Sequence, residues 1–309
     1  MATSGWIRLP ERQVLAVEGA LRQKFLHGLL SNDVARLAPG GGCRAALLDV
    51  KGHVLALMRV SATAQNFLLE IDGERLGVVQ SLLEHYRVAA PVRFQAKSTA
   101  VVAIVGEDAA PGLERAGIAP PGAEPESHVE AVLGGAPGRA IRAGDLPRGG
   151  LVLHVAPEGV ESVAGQLWEA RLGEISRADL DVLRIEDGRV RYGVDVTEDN
   201  LLHETGLLAE YHSSTKGCYV GQEVVARLEG RGGHVNKRLR GLRLEAPIAA
   251  GSTLAAEGAN VGSVTSAGIS AVFGPIAMGY VDRSHGEPGT LIRAGEVPAT
   301  VVELPFRRD

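Results

Sequence analysis

Cysteine is scarce in this chain. Cys43 and Cys218 are its two cysteines, far apart in sequence and without a second ligand at metal spacing, so the count excludes a cysteine-only zinc or iron-sulfur site within one chain. Long apolar runs are missing too. Met1 to Pro10 carries Trp6, Arg8 and Pro10 but no stretch of signal-peptide length, and no later segment reaches bilayer thickness; the expectation is a cytoplasmic protein with no membrane partner. There is no basic excess, and a net charge of -5 argues against direct nucleic-acid binding, which rests on a basic surface. Aromatic residues make up only 4% against Gly 40 and Pro 15, a balance that favours turns and close backbone approaches. No internal repeat is evident.

What is present is enough for a large core. With 309 residues and 45% hydrophobic content, two or three domains are expected. Residues 13–17 read as a strand, followed by a helical stretch over about 20–30. Ser31-Asn32-Asp33 then reads either as a helix stop, bonding its own backbone, or as a ligand contact. Strands are predicted at 43–49, 54–60 and 66–71, with Lys51-Gly52 in the turn of the first hairpin. An amphipathic helix over 74–86 places Leu76, Val79, Leu83 and Tyr86 on one face, and Val101 to Val105 reads as a strand buried on both sides. Strand-like pieces near 128–133, 138–143 and 150–155 precede a helix striped by Val160, Val163, Ala164, Leu167 and Trp168, all assigned to core. Another helix spans about 177–187. From Asn236 onward, short strands at 237–245, 252–256, 259–267, 275–282, 290–293 and 297–304 suggest a small barrel or sandwich. Leu239, Leu242 and Leu244 change parity around Gly241, as at a β-bulge.

Reactive chemistry concentrates in Lys216-Gly217-Cys218-Tyr219-Val220-Gly221-Gln222-Glu223. A short helix predicted over 221–227 would put Cys218 near its N-terminus with Lys216 two residues away, an environment that favours the thiolate. The alternative is a buried cysteine packing as a small hydrophobe. Upstream, His203 and Glu204 fit either a site or a solvated loop. Between Arg227 and Arg243 lie six basic residues against the single acid Glu229, a patch that suits an anionic ligand tail, RNA, or simply a solvated face.

The eight-residue motif resembles the signature of the YgfZ family of folate-binding proteins. Leu183-Arg184-Ile185-Glu186, Tyr192-Gly193, Asp195 and Glu204 are similar to the segment before the motif in those proteins and in glycine-cleavage T-protein aminomethyltransferases. Gly262, Val264-Thr265-Ser266, Ala277-Met278-Gly279-Tyr280-Val281 and Pro288-Gly289-Thr290 resemble that superfamily's C-terminal barrel. The resemblance implies an α+β fold: a three-domain T-protein-like ring with mixed-sheet N-terminal folate-binding domains and a C-terminal β-barrel. The folate-binding region would be 1–233, in two intertwined subdomains (roughly 1–50 with 105–233, and 51–104), and the barrel 234–309.

It further implies a tetrahydrofolate or derivative as cofactor. Glu204 would face the pterin and Arg227 an anionic glutamate tail, and Tyr192, Asn32, Tyr219 and Gln222 are the other candidate contacts. Cys218, with Lys216 beside it, would be the functional thiol. The implied role is iron-sulfur cluster assembly or repair, and through it support of iron-sulfur tRNA-modifying enzymes, with assembly machinery or client proteins as partners. The chain departs from the T-protein pattern at the hairpin, where Ala56 and Leu57 stand at about the place of an Asp pair. Neither can act as acid or base, so the expectation is an accessory protein rather than an enzyme. The alternative is a one-carbon transferase whose acid has moved to Asp49 or Asp33.

Overall fold

A computed structural model describes residues 4–308; Met1 to Thr3, the start of the stretch read for a signal peptide, lie outside the described residues. The chain divides into two compact units: Met1–Ile175 with Ala209–Gln222, and Ser176–Leu208 with Glu223–Asp309.

The first unit contains two sheets. In chain order its strands are β1 (Gly5–Arg8), β2 (Arg12–Glu18), β3 (Gly42–Leu48), β4 (Val54–Ala62), β5 (Asn66–Asp72), β6 (Arg93–Lys97), β7 (Ala100–Val105), β8 (His128–Leu133), β9 (Ala136–Arg142), β10 (Leu151–Val155) and β11 (Gly173–Glu174). One sheet runs β3-β4-β5-β2-β6 and the other β11-β1-β7-β10-β9-β8. Helices α1 (Arg22–His27), α2 (Gly73–Arg87), α3 (Ala109–Arg115) and α4 (Val160–Glu169) are interspersed. The apolar face of the five-stranded sheet, with Leu15, Met58, Val60, Leu69 and Ile71, packs with Val79 and Leu83 of α2 and Leu26 of α1. This is the burial expected of strands read at period 2 and helices read at period 3.6. As predicted, β7 is apolar and buried from Val101 to Val105.

Two expectations for these helices change. The first helix is six residues long, shorter than the span predicted from hydrophobicity, because the chain turns off at Gly28 and enters an irregular segment. On α4, Val160, Val163 and Leu167 enter the core, but Trp168 is 72% exposed. It neighbours Leu167 in sequence, about 100° around the helix axis, which carries a ring of that size past the edge of the packed stripe.

The second unit is built on a closed barrel of β12 (Lys237–Leu244), β13 (Thr253–Ala256), β14 (Ala259–Ser270), β15 (Gly274–Asp282), β16 (Leu291–Ala294) and β17 (Val297–Val302), in the order β12-β15-β14-β13-β16-β17. Pairing of β12 with β17 closes it, so the barrel reading holds and the sandwich does not. Helix α5 (Arg177–Glu186) starts at a capping box of Ser176 and Asp179 and lies against β14. Two further helices, α6 (Leu208–Tyr211) and α7 (Gln222–Gly230), bracket the motif loop.

The bulge expected at Gly241 is not there. Register between β12 and β15 is unbroken from Lys237 to Arg243; the irregularities fall instead at Leu254/Ala255 and Val264/Ser266. The leucine parity changes because β12 buries both faces. Leu242 and Leu244 fill the barrel, while Leu239 joins Ile185, Met278, Tyr280 and Phe306 on its outside. Gly241 sits on that outer face, where an added Cβ would lie 2.8 Å from Val302 and 3.0 Å from Phe306.

Candidate functional site

The motif loop is held down at three points within the first unit. Lys216 is buried, and its Nζ donates to the carbonyls of His27 at 2.6 Å and Leu30 at 2.5 Å. It thereby satisfies acceptors left open at the end of α1 and lies 4.5 Å over the Tyr219 ring. Burial pushes this amine down to about 8. Val220 packs against the core of the five-stranded sheet. Gly221, at φ +84, is seated on the β3–β4 turn so closely that a Cβ would lie 2.5 Å from the Asp49 carbonyl.

Between these anchors Cys218 is exposed and unpaired with any other cysteine, which sets aside the small-hydrophobe reading. Helix α7 starts at Gln222, with Gln222 and Glu223 in its first turn as expected. Cys218 stands ahead of that turn, in irregular chain. Gln222 Oε1 accepts from the Tyr219 amide at 3.3 Å, closing the turn beneath the thiol. The other thiol, Cys43 on β3, is partly buried, and burial pushes it up to about 12, which makes it inert.

Asn32 lies near this loop in the fold but is committed to backbone. Its Nδ2 donates to the Arg44 carbonyl at 2.8 Å and the Glu210 carbonyl at 3.3 Å, and its Oδ1 accepts from Asp33. The two acids to which a catalytic role might move are similarly engaged. Asp33 accepts from the Ala35 amide and pairs with Arg36 at 3.0 Å. Asp49 accepts from the amides of Lys51 and His53, each at 2.8 Å, and contacts the His53 ring at 3.2 Å. Burial opposes its ionisation, but the His53 and Lys51 contacts outweigh that and hold the carboxyl below its ordinary range. Ala56 and Leu57 are buried on β4.

Glu204 belongs to the second unit. It ends a 3-10 turn, Leu202–Glu204, with its carboxylate accepting from the Leu201 amide at 3.1 Å. The group is 7% exposed, and Lys237 Nζ lies 3.9 Å away and 5.0 Å over the Tyr280 ring. Tyr280 Oη is buried with no hydrogen-bond partner among the described residues. Burial first, and Glu204 next, raise its pKa. A carboxylate, an ammonium and an unsatisfied phenol thus share one small region, a polar cluster that favours an incoming hydrogen-bonding ligand. Sequence reading found Glu204 but not the roles of Lys237 and Tyr280. The available signal was register: Tyr280 stands opposite Leu239 on neighbouring strands.

Tyr192 lies in the loop after α5, bridged to Val196, and Arg227 is exposed on α7. Asp195, also singled out in sequence, is buried. It accepts from Arg184 Nη1, Thr265 Oγ1 and Ser266 Oγ, each at 2.6 Å, so it pins the loop to α5 and β14.

A second group escaped sequence reading. Register sets Arg44, Arg59 and Glu70 side by side on β3, β4 and β5, and two adjacent arginines repel unless an acid lies between them. Glu126 does so, accepting from Arg59 Nε at 2.8 Å and Arg44 Nε at 3.0 Å. Arg59 also pairs with Glu70 at 2.6 Å and with Asp145, and His154 of β10 reaches Glu70 at 2.8 Å. Burial would raise the Glu70 carboxyl, but Arg59, His154 and Arg12 together outweigh it and hold the group at about 2. Among the described residues, no cluster of His, Cys, Asp and Glu suits a metal ion, and no helix is long and apolar enough to cross a membrane.

Residues 237–307 match the glycine cleavage T-protein C-terminal barrel domain. The chain is 28% identical over 304 residues to an aminomethyltransferase of Nostoc sp., covering 92% of this chain and 79% of that protein. It is 29% identical over 322 residues to the mitochondrial aminomethyltransferase of Gallus gallus, covering 94% and 78%. The crystal structure of the glycine cleavage system aminomethyltransferase T from Bartonella henselae superposes with a TM-score of 0.87 at 26% identity, covering 99% of this chain and 87% of that one. Barrel, sheets and chain-long similarity together place the protein in the glycine-cleavage T-protein-like superfamily, with a T-protein-like fold.

Proposed function

We propose that this protein is a folate-binding accessory factor of the YgfZ type. It would bind tetrahydrofolate or a derivative and use Cys218 in the assembly or repair of iron-sulfur clusters on client proteins. The observation that carries the folate half is the buried Glu204 carboxylate beside the unsatisfied Tyr280 hydroxyl. A pterin presents several N–H donors and acceptors on one edge, and such a carboxylate and phenol suit them. Bound there, the folate would supply a reduced pterin able to carry a one-carbon unit. Glu204 would accept from it, Lys237 would offset the charge of Glu204, and Tyr280 would gain a partner.

The accessory half rests on Ala56 and Leu57, which offer no acid, and on Cys218, a single exposed thiol on an anchored loop. One thiol cannot hold a cluster alone, so a client protein or a small thiol must complete any cluster contact. Titration calorimetry with tetrahydrofolate tests the first half: Glu204→Gln should weaken binding about tenfold or more, and absence of binding to the unmodified protein would remove the folate assignment. Complementation of a bacterial strain lacking its own YgfZ tests the second. Cys218→Ala should fail to restore iron-sulfur enzyme activity while melting as the parent does; full restoration would show the thiol to be dispensable.

The chain-long likeness to aminomethyltransferases favours a second reading, a folate-dependent one-carbon transferase. Asp49 or Asp33 would then have to leave the turn it holds. Tetrahydrofolate-dependent release of formaldehyde or ammonia from an aminomethyl donor would decide for the enzyme.

A further inference from the structure

One end of the barrel opens through a cleft of about 230 Å3 whose walls include Gly232, His234, Arg238, Arg240, Arg283 and Glu287. The arginines are there because of strand parity. Arg238 and Arg240 share a face of β12 with Leu242 and Leu244, which fill the barrel, and the register is unbroken between them. The same side that is apolar deeper in becomes cationic at the mouth. Lys237, which approaches Glu204, alternates to the opposite face, so this cleft is separate from the Glu204 cluster.

Neutral carbonyls hold the guanidiniums. Arg240 Nε donates to Gly286 O and Arg238 Nη2 to Gly233 O, each at 2.7 Å. Among the described residues, none of Arg238, Arg240 and Arg283 has an ion-pair partner. Asp282, at the cleft wall, is turned to Ser284 at 3.0 Å and His285 at 2.8 Å, and Glu287 is the other acid at the rim. A larger groove of about 530 Å3 in the first unit also contains Lys97, Arg139 and His154. There the charges are matched, by Glu18 at 3.8 Å, Glu130 at 3.1 Å and Glu70 at 2.8 Å.

We propose that the barrel mouth is a binding site for the phosphate group of a small phosphomonoester. With its Nε engaged, the Arg240 guanidinium keeps both Nη groups to fork two oxygens of one anion. Arg238 and Arg283 line the same cleft and supply further donors, a set that suits a dianion with three terminal oxygens better than a single carboxylate. Barrel mouths are recurrent small-ligand sites.

Calorimetry on the full chain at low salt, with inorganic phosphate, glycerol phosphate, glutarate and a short RNA oligonucleotide as probes, tests this. Saturable binding of both phosphate probes is expected. Arg240→Ala and the exposed Arg283→Glu should each weaken it about tenfold or more, with melting temperature unchanged at least for Arg283→Glu, whose side chain has no hydrogen-bond or ion-pair partner among the described residues. Arg240→Lys should also weaken it, because it keeps the charge and loses the fork. The proposal is overturned by absence of saturable phosphate binding, by binding that survives both charge changes, or by preference for glutarate or for RNA over glycerol phosphate.

Discussion

Lys216 does two jobs that a residue count cannot distinguish. Two residues from Cys218, it reads as a charge that activates a thiol, yet its ammonium points back into the fold to cap the carbonyls of His27 and Leu30. Its charge has a cost that titration will expose. The amine is held at about 8 against an ordinary value of 10.5, so between those pH values the unfolded chain binds a proton that the folded chain does not. Stability must therefore rise with pH through that window, and the penalty on the charged form is full below about pH 8. Denaturant unfolding of the wild type against Lys216→Met from pH 7.5 to 10.5 should show a wild-type gain of at most about 3 kcal/mol that the variant lacks. A parallel pH course for the two proteins would show that burial is not what shifts this amine.

At the scale of elements, the motif loop and the β3–β4 turn form one packed feature. Gly221 adopts a left-handed conformation and brings its Cα against the Asp49 carbonyl, so Gly221→Ala meets both a backbone clash and an unfavourable φ. A loss of about 1–3 kcal/mol is expected, measurable by urea unfolding. Because the turn contains Asp49 and precedes β4, the same change should disturb the loop that presents Cys218 and lower complementation, whereas Cys218→Ala would do so at full stability. Gly274→Ala, where a side chain meets open space, controls for backbone strain alone and should cost less. On β12 the lesson is parity. Leucines on both faces look like a slipped register in sequence, and only the packing of α5 and the C-terminal segment on the barrel exterior explains them.

At the scale of the molecule, the two sheets of the first unit are joined through buried charge rather than through an apolar layer alone. Arg59 is buried with Glu70, Glu126 and Asp145 around it. Arg59→Met removes the cation shared by three acids and leaves them only partly compensated by Arg12, Arg44 and His154, which should destabilise the protein by about 3 kcal/mol. The network also predicts acid behaviour. Glu70 is held at about 2 against 4.5; its folded pKa is depressed, so its contribution is present above about pH 4.5 and is lost as pH falls toward 2. Thermal melting from pH 6 to 2 should show a steep loss in the wild type and a shallower one in Arg59→Met, which has already lost the pairing.

The sequence by itself determined the strands and helices whose periodicity is strong: the 43–71 meander, the helix on Val79 and Leu83, and the run of short strands after Asn236. It also located the motif that carries Cys218. These are local properties, set by alternation and by residue type. Tertiary structure decided the destinations of long polar side chains. Lys216 caps a helix some 190 residues earlier in the chain, Arg59 meets acids 11, 67 and 86 residues away, and the Tyr280 hydroxyl is buried with no hydrogen-bond partner among the described residues. No period encodes such meetings, because sheet register and the stacking of one layer on another choose the partner, and that choice is made only when the chain is folded.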